Sequence, residues 1–205
     1  MSKSYRDQRP ANRAARRLEA TNVGDAVIPR IVTRTPRKGD AHPVPASVLR
    51  YYIKEDVPLE YLYGISRIEL RARRNGEVGT PFATYTSDEK SIILYSLPNS
   101  WDESWDVIDL DHLRAVAWYG AEIDSCDSRI HISWKRRENL ADWFFVEVFC
   151  HELGHHFVNQ YTGRLQKTCS RKHEEFVANL CARRFLSRMD HKYGGPGKRK
   201  FKWRF

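Results

Sequence analysis

This 205-residue chain has no run of apolar residues approaching the roughly 20 that a membrane-spanning helix needs, so a membrane protein is not expected. Its first twenty residues, MSKSYRDQRPANRAARRLEA, contain no apolar core of the kind a secretory signal requires. They are Arg-rich, as a transit peptide is, but Asp7 and Glu19 speak against that reading, and a cytoplasmic protein is expected. Cysteine is scarce: Cys126, Cys150, Cys169 and Cys181 form no CxxC pair and no regular ladder. That excludes a structural zinc knuckle and a disulfide framework, and leaves reduced thiols. Cys150, next to His151 on a helical segment, falls on a different helix face from the histidines around it and reads as core. No internal repeat is visible.

What is present suits one soluble domain. Hydrophobic residues make up 41% of the chain and charged ones 30%, enough for a single core but too little length for two comfortable domains. The net charge of +9 is unevenly distributed. Residues 1–40 carry +6 and residues 191–205 another +6, so the stretch between them sits near −3. The expected organisation is a basic, disordered tail over 1–45 that ends in the linker HPVPAS, a folded body over 46–190, and a basic tail over 191–205. Basic tails of this kind bind nucleic acid or another polyanion by neutralising phosphates, or serve only as solubilising surface charge.

Within the body, strands are expected first and helices last. The alternation in SRIELRARR (66–74) fits a half-buried strand, and FATYTSDEKSIILYS (82–96) fits two strands around the turn SDEK. DVIDLDHLRAVAWYGAEI (106–123) places Ile108, Leu113, Val116 and Ala117 at helical spacing, and RIHISW (129–134) reads as a further strand. LADWFFVEVFCHELGHHF has a helical period and no proline, and its first half is apolar almost all round, which predicts a long buried helix over about 138–160. A second helix is expected over about 170–189, ended by YGGPG.

The chemistry lies on these last two helices. His151 and His155 are four residues apart, so an α-helix stacks them on one face, where two imidazole nitrogens can hold one tetrahedral zinc ion. Glu152 sits beside them, placed to take a proton from a water that the metal has acidified. This is the physical content of an HExxH motif. The extension that would supply a third histidine is absent, because Val158 and Tyr161 stand where glycine and histidine are needed. Glu175, with 19 residues between it and His155, would complete a His2Glu site if the two helices pack antiparallel. Glu174 and His173 are the competing third ligands, and His156 is expected to point away. Asn179, one turn after Glu175, shares its face and is placed to accept a hydrogen bond from the outer ring nitrogen of His151. Tyr161, Tyr193, His191 and His131 are all candidates for stabilising an oxyanion, and spacing selects none of them.

The pair HELGHH…EEFVANLCARRFL resembles the gluzincins and, more closely, the compact ImmA/IrrE-type metallopeptidases, whose pattern is HExGH followed by ExxAN and an apolar helix. The recognisable motifs cover about residues 140–187, and no helix-turn-helix pattern of the kind many relatives carry is visible. The resemblance implies an α+β, zincin-like domain with a small, mostly antiparallel sheet packed on the HExxH helix and on a following ligand-bearing helix. It implies His151, His155 and Glu175 as ligands of Zn2+, Glu152 as general base, and hydrolysis of peptide bonds in an intracellular protein. In such a fold the strand bordering the cleft holds the substrate, which makes RIHIS or SIILYS the expected edge. Two other functions fit the same sequence. One is a catalytically silent scaffold that docks nucleic acid or a large assembly through its tails, and the other is a zinc hydrolase of a non-peptide amide.

Overall fold

The computed structural model describes residues 28–73, 81–105, 108–160 with the backbone of 161–162, and 170–194. The architecture is α+β, with two small sheets and several helices. The four-stranded sheet is built from β1 (Arg30–Thr33), β2 (Arg67–Arg71), β3 (Ala83–Thr86) and β4 (Ser91–Tyr95), in the order β1-β2-β4-β3. β1 and β4 both run parallel to β2, and β3 closes the sheet antiparallel to β4 through the expected SDEK turn. The smaller sheet is antiparallel throughout, with β5 (Ser100–Ser104), β6 (Glu122–Cys126) and β7 (Arg129–Ser133) in the order β5-β7-β6.

The helices are α1 (Ala46–Glu55), α2 (Leu59–Leu62), α3 (Leu110–Trp118), α4 (Arg137–Trp143), α5 (Cys150–Thr162) and α6 (Arg171–Tyr193). A π-helical segment, Phe144–Phe149, joins α4 to α5, and the Cys150 amide donates to the Phe145 carbonyl five residues back. α3 starts at Asp109, whose carboxylate accepts the Asp111 amide at 3.0 Å. α6 starts at Ser170, whose hydroxyl accepts the His173 amide at 3.3 Å. Such caps satisfy amides that have no partner inside the helix.

The core lies between the larger sheet and the α4–π–α5 rod. Ile68 and Leu70 of β2 and Ile92 and Leu94 of β4 point inward, and from the rod come Leu140, Trp143, Phe144, Phe145, Val146, Phe149 and Leu153, all buried. The rod is therefore a core element over most of its length, which is why its first half is apolar all round. Trp143 also reaches the smaller sheet. Its ring lies 6.2 Å from Trp101 and 5.7 Å from Trp134, and Phe82 stands edge-on to it at 5.1 Å. This aromatic cluster ties the two sheets together.

Four expectations need correction. One mostly antiparallel sheet is replaced by two, and the larger has two parallel pairings to one antiparallel. The N-terminal tail is shorter than 1–45, because Arg30–Thr33 pairs with β2 and Val44 is buried in the core. The C-terminal tail starts later than 191, because α6 runs to Tyr193 and ends at Gly194, whose φ of +83° suits glycine. Lys192 and Tyr193 both bond to buried Asp56, anchoring that end. The parts of the two tails in 1–27 and 195–205 lie outside the described residues.

The fourth correction concerns the edge strand. SIILYS forms β4, between β2 and β3, and RIHIS forms β7, the middle of the smaller sheet. Alternation reports which face of a strand is buried and says nothing about its flanks. The edge beside α5 is β3. Among the described residues no helix is long and apolar enough to cross a membrane.

Candidate metal centre

α5 and α6 pack antiparallel, since contacts that move forward along α5 move back along α6. His151 meets Asn179, Gly154 meets Ala178, and His155 meets Glu175. The closest approach is at Gly154, where a Cβ would stand 2.5 Å from the Ala178 Cα and 2.9 Å from its carbonyl oxygen. Only glycine fits there, and only a small residue fits opposite. This explains the G of HExGH and the A of ExxAN in physical terms. The two helices must nearly touch for a carboxylate on one to reach imidazoles on the other.

That contact brings three donor atoms together. His151 Nε2 lies 3.0 Å from His155 Nε2, and Glu175 Oε2 lies 3.4 Å from the first and 3.7 Å from the second. Four ligands at about 2.05 Å around a tetrahedral zinc stand roughly 3.3 Å apart, and the three distances bracket that value. The cluster of His151, His155 and Glu175 could hold a metal ion. Its donor set of two imidazoles and a carboxylate suits zinc among other divalent metals.

The tautomers favour the same use. His151 Nδ1 lies 3.0 Å from Asn179 Oδ1, which accepts a hydrogen bond, so the proton sits on Nδ1 and the Nε2 lone pair faces Glu175 and His155. Burial lowers the pKa of both histidines, and at His151 the neighbouring His155 lowers it further. Neutral imidazoles are the form a metal needs.

Glu152 lines the adjoining cavity beside His151. Burial raises its pKa to about 7, Glu175 adds to the rise, and a hydrogen bond from the Tyr85 backbone N–H opposes it. A carboxylate poised near neutrality can both take and return a proton. The cavity, of about 610 Å³, is walled by Phe82 and Ala83 at β3, by Trp143, Val148, His151 and Glu152 on the rod, and by Asn179, Ala182 and Leu186 on α6.

Of the expected site residues, His151, His155, Glu175, Glu152 and Asn179 converge. Glu174 and His173 stay outside the cluster. His156 is fully buried and points to the other side of α5, and Cys150 is core. The candidate oxyanion donors with described side chains do not reach the site. His131 bonds Asp102 on the smaller sheet at 2.7 Å, Tyr193 bonds Asp56, and His191 is exposed beside it near the end of α6; the Tyr161 side chain lies outside the described residues. Sequence reading missed three cavity-lining groups, His112, Arg183 and Glu147, the last of which accepts from the Tyr119 hydroxyl at 3.2 Å. Helical spacing carried a signal for two of these. Glu147 is one turn before His151, and Arg183 is one turn beyond Asn179.

Compared with known proteins, the chain matches no family model, no curated protein and no solved structure.

Proposed function

We propose that this chain is a zinc-dependent metallopeptidase of zincin-like build, acting on peptide bonds of a protein substrate. The observation that carries the reading is the triangle of His151, His155 and Glu175 donors at tetrahedral spacing, with the half-buried carboxylate of Glu152 on the same helix. Zinc held there supplies a Lewis acid for a carbonyl and lowers the pKa of water toward neutrality. The rest of the chemistry belongs to the chain. Asn179 holds His151 in the tautomer that directs Nε2 inward. Glu152 takes the proton of the attacking water and hands it to the leaving nitrogen, roles suited to its pKa of about 7.

β3 ends the larger sheet beside the cleft and is the strand that would receive an extended substrate as an added strand. Recognition through backbone pairing tolerates many sequences, and the cavity between Trp143, Val148 and Leu186 then takes one side chain.

The deciding experiment measures zinc content and hydrolysis of an unfolded protein in parallel. Wild type should hold one zinc per chain and cleave, and Glu152→Gln should hold zinc and not cleave. Absence of zinc in wild type, or cleavage undiminished in Glu152→Gln, overturns the proposal. Zinc bound without any Glu152-dependent cleavage leaves the scaffold reading, in which the basic tails dock a polyanion.

A further inference from the structure

The larger sheet has two faces, and the hydrophobic core takes only one of them. Ile68 and Leu70 point inward, so strand alternation turns Arg67, Glu69 and Arg71 of β2 to the outer face. The register of the parallel pair sets Arg30 of β1 beside Arg67, and Arg34, just past the end of β1, reaches the same face at Glu69. Tyr95, half-buried at the end of β4, lies beside Arg71.

Glu69 is buried, and three guanidiniums turn to it. Arg71 donates to both of its oxygens, from Nε to Oε1 at 3.2 Å and from Nη2 to Oε2 at 2.7 Å. Arg34 donates from Nε to Oε1 at 3.3 Å, and Arg67 Nε stands 4.0 Å from Oε2. Balance would need one cation for each anion. Here four arginines share Glu69 and Glu89, the latter bonded by Arg67, so positive charge is left over on this face. The surplus is local, because residues 41–190 as a whole sit near −3.

The arginines are also open to solvent: the side chains of Arg34, Arg67 and Arg71 are 66%, 41% and 36% exposed. Each guanidinium carries five N–H groups, so Glu69 orients the planes and leaves most of the donors unused by it. An anion arriving there meets side chains whose rotamers are already held, which lowers the entropic cost of binding. The spacing suits a repeating anion. Arg30 and Arg67 stand on neighbouring strands about 4.8 Å apart, and Arg71 is four residues further along β2, about 13 Å away. A duplex is entered by a helix or ribbon laid in its groove, whereas an open sheet face takes a single strand, with phosphates on its arginines and a base on its aromatic ring. Residues 1–27, with six Lys or Arg against three Asp or Glu, lead into β1 at the edge of this face.

From this geometry we infer that the outer face of the larger sheet binds single-stranded nucleic acid, held through its phosphates by Arg30, Arg34, Arg67 and Arg71 and through a base by Tyr95. α5, which bears the histidines of the metal cluster, packs on the opposite face, where His156 bonds Tyr85 at 3.2 Å. The inference therefore does not depend on the peptidase reading.

The test titrates the full chain into a fluorescein-labelled oligothymidylate of about 20 nucleotides and follows anisotropy from about 50 to about 300 mM salt. Arg30→Gln with Arg34→Gln removes two cations and leaves Arg71 on Glu69, so the buried carboxylate keeps its partner. Arg129→Gln with Arg136→Gln removes the same charge from exposed positions in and after the smaller sheet. The first pair should weaken binding about tenfold or more at about 0.1 M salt and reduce the slope of log K against log salt by about 1.4. The second should leave both near wild type. Arg30→Gln alone, at an exposed edge position, should reduce the slope by about 0.7 and decides the matter if the double variant does not fold. Tyr95→Ala should weaken binding about fivefold or more with the slope unchanged.

No binding by wild type, equal losses in the two double variants, or full-strength binding by Tyr95→Ala overturns the inference. So does displacement by polyglutamate or by duplex DNA as effective as displacement by the unlabelled single strand. Binding is read without zinc or cleavage, so a chain that fails as a peptidase still decides this question.

Discussion

The two faces of α5 carry the same side chain to opposite ends. On the front, His151 and His155 point their Nε2 atoms at each other and at Glu175, a concentration of acceptors held 3.0–3.7 Å apart. On the back, His156 has a donor on one nitrogen and an acceptor on the other, and both are satisfied by Tyr63 and Tyr85. A histidine with both nitrogens matched to protein partners is finished. Histidines whose ring nitrogens converge with a carboxylate could share one cation, which would bond all three at once. The difference lies in what the neighbours offer, and composition does not show it.

That comparison can be broken or sharpened. The largest effect should come from Glu175→Ala, which removes one of the three proposed ligands. Structural zinc binding amounts to roughly 10–16 kcal/mol, so losing about a third of the donors should weaken zinc about 10³-fold, as read by competition with a chromogenic chelator. His156→Gln should leave that affinity within about threefold, which keeps the two faces distinct.

Next in size is Gly154→Ala. Its Cβ would stand 2.5 Å from Ala178 Cα, backbone that cannot give way without moving α6. A loss of about 3 kcal/mol in denaturant unfolding is expected, with weakened zinc binding, since parting the helices withdraws Glu175.

A third test uses pH in the metal-free protein. The fold raises the Glu152 pKa from its ordinary value of 4.5 to about 7, so it prefers the neutral form. Below pH 4.5 folded and unfolded chains are both protonated and nothing is lost. Between 4.5 and 7 the unfolded chain ionises first, so stability falls as pH rises and levels off above 7. Glu152→Gln has no such proton to lose and should be more stable than wild type above pH 7, by up to ~3 kcal/mol, and no different from it at pH 4. Equal pH profiles for the two proteins would contradict the raised pKa.

The smallest effect belongs to Asn179→Ala, which frees the ring of His151 without removing a ligand. Zinc affinity should fall about ten- to a hundredfold, and cleavage should fall with it at limiting zinc.

The front face of α5 was legible in the sequence because helical spacing is rigid. Four residues always stack, so His151 with His155, and Glu175 with Asn179, announce two faces that must meet. Much of the sheet was not legible. β1 is four residues in an Arg-rich segment, and β5, SWDES, has one buried residue, so neither carries a periodic signal. β6 looked like a continuation of α3, although Gly120, with φ of +88°, marks the break. The bond between His156 and Tyr85 was invisible for a different reason. His156 and Tyr85 are 71 residues apart, and hydroxyl-to-imidazole pairs leave no pattern in a sequence.

The π segment at Phe144–Phe149 has a consequence of its own for how this chain can change. A wide turn is one residue more than an α-helix needs, in effect a phase shift set between the half of the rod that packs the core and the half that bears the donors. With one residue deleted there the rod could close into continuous α-helix in phase, but closing it at full length would rotate everything upstream about 100° relative to His151. Glu147 and Trp143 would swing out of the cleft while His151, His155 and Glu152 stayed in phase with one another. The cavity wall and the donor cluster are thus separately indexed, and a change between wide and α turns can redraw the first while sparing the second.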